Sequence, residues 1–363
     1  MSIVDRLFAR FIVGKNKDTF LTKKNFVFLI LVLVLVFILS PTNKIQWIAL
    51  TLAMFSTMSN DSIQTLGTFL SSNNKVSWWK MFFYISILFA ITIFCGWYLN
   101  NHRLDFNRLK EIPYSSVKLT YFQFFAPIVL IILTYFKIPI SSTFLILSVF
   151  ASNNTIGAIL LKTLSGYTFG FIASYVIWNV VLKYFQKSLL CEEGKKSDII
   201  MRAMQWISTG ALWIAWLTND TSNVVVYGQR YFTVYDLLLF LMIGIFMIGF
   251  TIYNRGGPIQ EIVSQKKDMT NIKSTTLINF YYALSIIFLN RISPIPMATT
   301  WIFIGILSGR ELAIFKFDEN HKTLKFKNRW KKANSIIIAD MKLACLSVGL
   351  SLFFVFLSGL TWK

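Results

Sequence analysis

Two stretches of the sequence decide the fold: residues 56–68, STMSNDSIQTLGT, and residues 215–227, AWLTNDTSNVVVY. Each carries an Asn-Asp dipeptide inside otherwise apolar sequence. The dipeptides are Asn60-Asp61 and Asn219-Asp220. A carboxylate at bilayer depth is energetically costly, so it marks a functional site by default. The two stretches therefore indicate a pair of related sites in a membrane-embedded chain.

A second polar signature is also present twice, as a proline followed by small, mostly hydroxyl-bearing residues. It reads PISST at 139–143 and PMATT at 296–300. Asp61 lies 78 residues before the first proline, and Asp220 lies 76 residues before the second. The matching spacing predicts an internal duplication. Duplicated halves with polar breaks at corresponding positions are typical of secondary transporters.

The composition agrees with a chain that crosses a membrane several times. Of 363 residues, 55% are hydrophobic and only 14% are charged, and the mean hydropathy is +0.58. The net charge of +20 comes from Lys and Arg in connecting segments, so we attribute it to orientation in the membrane rather than to nucleic-acid binding. The three cysteines and two histidines have no spacing that suits a metal site, a disulfide framework or a catalytic triad.

Apolar periodicity predicts an all-α polytopic membrane protein. Its predicted spans are 26–40, 46–70, 78–99, 167–186, 203–228, 231–254 and 335–361. The spans 46–70 and 203–228 are interrupted by the Asn-Asp stretches, which cannot face lipid because unpaired polar groups there cost several kcal/mol each. These interruptions must line a cavity.

Residues 119–161 and 278–312 each contain two short apolar arms around a proline and hydroxyl tip. The arms are short for a full crossing, which needs roughly 20 residues. We therefore expect two re-entrant helical hairpins. Two ordinary spans joined by a tight external turn are the alternative.

The distribution of basic residues predicts the topology. If the N-terminus is cytoplasmic and each hairpin returns to its own side, the basic segments 187–202, 255–273 and 316–332 all fall inside. The two interrupted spans then run in opposite directions, which makes the halves inverted repeats suited to alternating access. The predicted divisions are 1–45 (basic segment and first span), 46–186 (first repeat), 187–202 (cytoplasmic linker) and 203–363 (second repeat).

These four motifs, in this order, resemble those of the inorganic phosphate transporter (PiT) family. SNDSIQTLGT at 59–68 and TNDTSN at 218–223 resemble its duplicated Asn-Asp signature, with Gln64 where the family has Asn. The two proline segments resemble its Pro-Val-Ser-Thr-Thr signature, although Phe144 and Trp301 stand where the family has His and Ala298 replaces one hydroxyl. The resemblance covers most of residues 46–361. It implies a non-enzymatic symporter that imports inorganic phosphate with sodium and needs no cofactor beyond that coupling ion.

Physical chemistry assigns the polar residues to two ligands. Helix N-termini and hydroxyls at the hairpin tips suit a phosphate dianion, and the candidates are Ser141, Ser142, Thr143, Thr299 and Thr300. Carboxylates repel phosphate, so the Asn-Asp segments should bind sodium through side-chain and carbonyl oxygens. The candidates there are Asn60, Asp61, Gln64, Asn219, Asp220 and Asn223. We expect neutral donors to hold the anion, since the nearest basic residues, Lys137 and Arg291, only border the tips.

Several alternatives stay open at this level. The hydroxyls could only cap helices, and the Asn-Asp pairs could only cap half-helices. Coupling to protons, transport of sulfate and an anion channel compete with the leading hypothesis. The resemblance further implies a multi-pass protein of the plasma (inner) membrane, with the lipid bilayer as its surroundings, and a homodimer is an open alternative to a single chain.

Overall fold

The computed structural model describes residues 23–40, 43–112, 119–136, 140–190, 195–256 and 272–317, together with part of 338–356. The predicted N-terminal basic segment lies largely outside these residues, as do Lys137, Pro139 and much of the predicted last span, 335–361. Every regular element among the described residues is helical, as the apolar periodicity predicts.

The first half of the chain contains six α-helices among the described residues. α1 is Lys23–Leu39, α2 is Lys44–Thr65, α3 is Gly67–Ser72, α4 is Trp78–Leu99 and α5 is Tyr121–Tyr135, followed by a π-helical turn at Thr143–Leu147 and then by α6, Asn153–Leu190. The second half consists of α7, Lys195–Asp220, α8, Ser222–Val225, α9, Val234–Tyr253, α10, Ile272–Ile292, and α11, Thr299–Phe317. The order of a long helix, a short helix, a full span and a hairpin occurs in both halves. The inversion of one half relative to the other stays a prediction.

Four helices among the described residues are long and apolar enough to cross a membrane. They are Trp78–Leu99, Asn154–Tyr184, Val234–Tyr253 and Ile272–Ile292. The surfaces of α4 and α9 that do not face the core expose large apolar side chains, which suits contact with lipid. The chain is therefore an integral membrane protein of all-α architecture.

α2 lies in the core, and almost every side chain described from Gln46 to Asp61 is buried. Its polar side chains are tolerated there partly because they bond within the helix: Thr51 Oγ1 donates to the Trp47 carbonyl at 2.7 Å and Thr65 Oγ1 to the Asp61 carbonyl at 2.9 Å. The helix breaks at Leu66 and resumes as α3. α7 breaks in the same way directly after Asp220.

The first hairpin differs from its prediction. Its second arm is a short π-helical segment, and α6 then runs unbroken from Asn153 to Leu190, through the gap predicted between residues 161 and 167. The polar residues in that gap do not interrupt the helix, because Ser165 Oγ donates to the Lys162 carbonyl at 2.8 Å and Thr163 is buried. The end of α6 and the start of α7 occupy most of the predicted linker 187–202.

The second hairpin has longer arms than predicted. α10 begins at Ile272 and α11 ends at Phe317, and a connector, residues 293–298, joins them. α11 packs along α6 so closely that a Cβ on Gly305 would lie 2.4 Å from the Tyr167 carbonyl oxygen. This backbone contact fixes the second hairpin against the first half. The re-entrant character of both hairpins stays a prediction.

Candidate functional site

Asp61 and Asp220 are buried in the centre of the molecule and belong to one hydrogen-bond network. Ser142 Oγ donates to Asp61 Oδ2 at 2.7 Å. Asn223 Nδ2 lies 3.1 Å from Ser142 Oγ and 2.9 Å from Asp220 Oδ1. Thus one hydroxyl and one amide connect the two carboxylates, which lie 159 positions apart in the sequence.

Asp220 contacts the tips of both hairpins. Its Oδ1 lies 3.3 Å from Thr143 Oγ1 of the first tip, and its Oδ2 accepts from Thr299 Oγ1 of the second tip at 2.9 Å. Thr143 Oγ1 also lies 3.2 Å from the Met297 carbonyl in the second tip. The two tips, separated by about half the chain, therefore meet at this carboxylate.

The two Asn-Asp dipeptides make the same contacts in both halves. Asn60 Nδ2 donates to Asp61 Oδ1 at 2.8 Å and to the Ile140 carbonyl at 2.5 Å. Asn219 Nδ2 contacts Asp220 Oδ2 at 3.3 Å and the Met297 carbonyl at 3.0 Å. Ile140 and Met297 each follow the proline of their signature. The repeated contact supports the internal duplication.

The amide three residues after each aspartate reaches towards the hairpin tip of the other half. Asn223 Nδ2 contacts the hydroxyls of Ser142 and Thr143 in the first tip. Gln64 Nε2 lies 3.3 Å from Thr299 Oγ1 in the second tip. The resemblance leads one to expect Asn where this chain has Gln64. Gln64 therefore preserves a side-chain amide that connects the two halves.

Among the residues that the structure describes, two amide oxygens of this network have no hydrogen-bond partner. Asn219 and Asn223 both direct their nitrogens at the Asp220 carboxylate, and their Oδ1 atoms are buried and unsatisfied. A buried acceptor without a donor is costly. Carbonyl and carboxylate oxygens are the ligands that a small hard cation prefers. Oxygen donors of this kind, beside two carboxylates, fit a sodium ion.

Ser141 and Thr300 have a less direct relation to the carboxylates. Ser141 Oγ accepts a hydrogen bond from the Phe144 backbone N–H at 3.1 Å. It therefore caps the π-helical turn, which is the alternative role that the sequence leaves open for the tip hydroxyls. Thr300 is buried in the first turn of α11, beside Thr299. Their assignment to the anion stays a prediction.

The sequence did not single out Tyr282, which the structure places next to the network. Its hydroxyl lies 2.9 Å from the Thr299 carbonyl and 3.1 Å from Gln64 Oε1. The residue is fully buried on α10. A tyrosine in an apolar helix gives no sequence signal by itself, because most such residues pack in the core or at the membrane interface.

Two basic residues near the second tip are not singled out by the sequence, in which Lys137 and Arg291 are the basic residues nearest the tips. Lys162 on α6 donates to the Ser293 carbonyl at 2.7 Å and to the Ile295 carbonyl. Arg108, from the segment between α4 and α5, donates to the same Ser293 carbonyl at 3.1 Å. Arg291 itself is exposed. Lys162 lies in the gap that the sequence predicts between residues 161 and 167, where a lysine is an ordinary loop residue.

The chain shares its fold with a solved structure described as "The sodium-dependent phosphate transporter". The superposition has a TM-score of 0.53 and covers 92% of this chain and 99% of that one, with 13% sequence identity. No family model matches the chain, and no curated protein matches it. At this identity the likeness defines the fold alone, an all-α membrane architecture.

Proposed function

We propose that the chain is a secondary active transporter that imports inorganic phosphate together with sodium by alternating access. The observation that carries the proposal is the single buried network in which both aspartates and the hydroxyls of both hairpin tips take part. The similar structure, described as a sodium-dependent phosphate transporter, supports the choice of ions. This assignment makes the protein a transporter and not an enzyme.

The network suggests how cation and anion loading are coupled. The hydroxyls of Ser142 and Thr299 donate to the carboxylates of Asp61 and Asp220. A sodium ion bound by the carboxylates and by the free amide oxygens of Asn219 and Asn223 would compete for those acceptor oxygens. The hydroxyl protons would then be available to a phosphate oxygen. Each ion thereby favours binding of the other, which is the reciprocity that symport requires.

The second tip offers further donors to the anion. α11 begins at Thr299, so the backbone N–H groups of Thr299 and Thr300 lack intrahelical partners, whereas that of Trp301 donates to the Ala298 carbonyl at 3.1 Å. The positive end of the helix dipole favours a dianion at that point. Thr299 and Thr300 add hydroxyls in the same turn. The inverted-repeat topology predicted from charge would then expose this site to one side of the membrane at a time.

Uptake of labelled phosphate into proteoliposomes tests the proposal. We expect uptake that depends on an inward sodium gradient, saturates with phosphate and is only weakly inhibited by equimolar sulfate. Uptake driven by a proton gradient in sodium-free medium would replace sodium with protons as the coupling ion, and stronger transport of sulfate would change the substrate. Flux that follows the phosphate gradient alone and cannot accumulate phosphate would favour a channel and refute symport.

A further inference from the structure

Arg108 and Lys162 converge on the connector 293–298, which leads from the end of α10 directly into Thr299. Both side chains donate to the Ser293 carbonyl, Lys162 Nζ at 2.7 Å and Arg108 Nη1 at 3.1 Å. Arg108 Nη1 also contacts the Asn290 carbonyl at 3.3 Å. Two cations that share one carbonyl oxygen must lie close together.

This pair carries more positive charge than its surroundings balance. Within the part of the chain that the structure describes, neither side chain forms an ion pair with a carboxylate. The C-terminal end of α10, which both side chains cap, is equivalent to roughly half a negative charge. The positive charge of the pair exceeds it, and the repulsion between the two groups grows as water is removed.

The two groups are also incompletely hydrogen-bonded. Lys162 is only 9% exposed, and Arg108 Nε is buried with no partner. The side-chain amide of Asn290, whose backbone carbonyl accepts from Arg108, is likewise buried and unsatisfied. Burial lowers the pKa of Arg108 to about 10, with Asp220 opposing the shift, so the guanidinium keeps its charge at neutral pH.

We propose that Arg108 and Lys162 form a binding site for a compact oxyanion dianion, where the substrate is held before it reaches the central network. The inference rests on the proposed function for its place in the transport path. The site requires a small tetrahedral oxyanion of the phosphate or sulfate class, because several oxygens must accept at once from an ammonium and from the edge of a guanidinium. A dianion there would balance the excess charge and use the free Arg108 Nε–H.

The position of the pair supports this role. The connector that it binds continues into Thr299, whose hydroxyl donates to Asp220. Arg108 lies in the segment between α4 and α5, within residues 100–118, which fall on the outer side of the membrane if the N-terminus is cytoplasmic and each hairpin returns to its own side, as predicted. An anion that approaches from that side would meet the pair first and the neutral donors of the tip afterwards.

Equilibrium binding of labelled inorganic phosphate to the purified full-length protein in sodium-free buffer tests the proposal. The background variant is Thr299→Ala, which weakens the central site. We expect Arg108→Gln to weaken binding about tenfold or more, because it removes a hydrogen bond to a charged group. Lys162→Gln should weaken it similarly, and Lys162→Arg should retain binding.

Arg230→Gln is the matched control. Arg230 is also partly buried and donates to a backbone carbonyl, that of Ile112 at 3.0 Å, but it does not contact the connector. This variant should bind phosphate as the background does. If Arg108→Gln and Lys162→Gln lower thermal stability without changing phosphate binding, the pair only caps α10 and the proposal is wrong. The same holds if Arg230→Gln weakens binding as much as they do.

The test separates this site from the proposed function. Binding that depends on Arg108 in a protein that does not transport phosphate would support the oxyanion site and reject the transport assignment. If Arg108→Gln shows sodium-driven uptake with the same half-saturating external phosphate concentration as the wild-type protein, the oxyanion site is rejected and the transport assignment is supported.

Discussion

Replacing Asp220 with asparagine perturbs the point where the two hairpin tips meet. The wild-type carboxylate accepts from Asn223 and Thr143 at Oδ1, and from Thr299 and Asn219 at Oδ2. In Asp220→Asn, one oxygen becomes an amide nitrogen that can only donate. Whichever way the new amide turns, two of the four donors lose the oxygen that they contact at this position, although Thr143 and Asn219 also contact the Met297 carbonyl. A buried donor without an acceptor costs about 1–3 kcal/mol.

The loss of charge has a larger effect on the affinity for the cation than on the stability of the fold. A carboxylate about 4 Å from a bound ion contributes roughly 4 kcal/mol at an effective dielectric constant of 20. Since each 1.4 kcal/mol corresponds to a factor of about ten, the affinity for sodium should fall by two to three orders of magnitude. Uptake at any attainable sodium concentration should therefore be almost abolished.

The assay combines sodium-dependent phosphate uptake in proteoliposomes with the Tm of the purified protein. Asp61→Asn provides a comparison, because among the described residues the Asp61 carboxylate accepts from two side chains, those of Asn60 and Ser142. It should lose uptake as severely while lowering Tm less. Asp236→Asn is the control, since Asp236 caps the start of α9 away from the network. The cation role of Asp220 would be refuted if folded Asp220→Asn kept sodium-stimulated uptake with a wild-type half-saturation.

Three further substitutions test separate parts of the structure. Ser142→Ala should raise the half-saturating phosphate concentration about tenfold, because it removes a donor to a charged group; unchanged phosphate kinetics in uptake assays would contradict the role of this hydroxyl. Tyr282→Phe removes the contact with Gln64 and the Thr299 carbonyl and should lower the free energy of unfolding by about 1 kcal/mol, measured by thermal denaturation. Gly305→Ala should destabilise the protein by about 1–3 kcal/mol, because its Cβ would meet the backbone of α6 at 2.4 Å. Gly157→Ala, whose Cβ meets nothing within 4 Å, is its control, and equal Tm values for the two would disprove the packing argument.

Helix type and approximate placement follow from local sequence. Long apolar runs such as 78–99 and 231–254 appear as α4 and α9 within a few residues, because a chain in lipid must bond its backbone internally. Helix continuity was less predictable. The apolar pattern predicts a gap before residue 167, whereas α6 passes through it, because Ser165 bonds back to its own helix and Thr163 is buried. Such local satisfaction of a polar residue is invisible in a hydropathy pattern.

The residues of the candidate site were accessible from sequence because carboxamides and carboxylates are rare inside apolar spans. The duplicated signatures identified Asp61, Asp220 and the tip hydroxyls before any contact was known. Their partners were not accessible in the same way. Tyr282 resembles any core aromatic residue, and Arg108 lies in an ordinary polar connector. Only their positions beside Thr299 and the connector give them significance.

The sequence by itself determined that this is an all-α membrane protein and predicts two related halves, since hydropathy, charge distribution and repeated motifs depend only on residue order. The tertiary structure decided which polar groups face one another. It joined Asp61 to Asp220 through Ser142 and Asn223, and it left two amide oxygens without donors. The physical reason is that a buried polar group needs a specific hydrogen-bond partner. That partner lies far away in the sequence, and only the packing of the helices brings the two groups into contact.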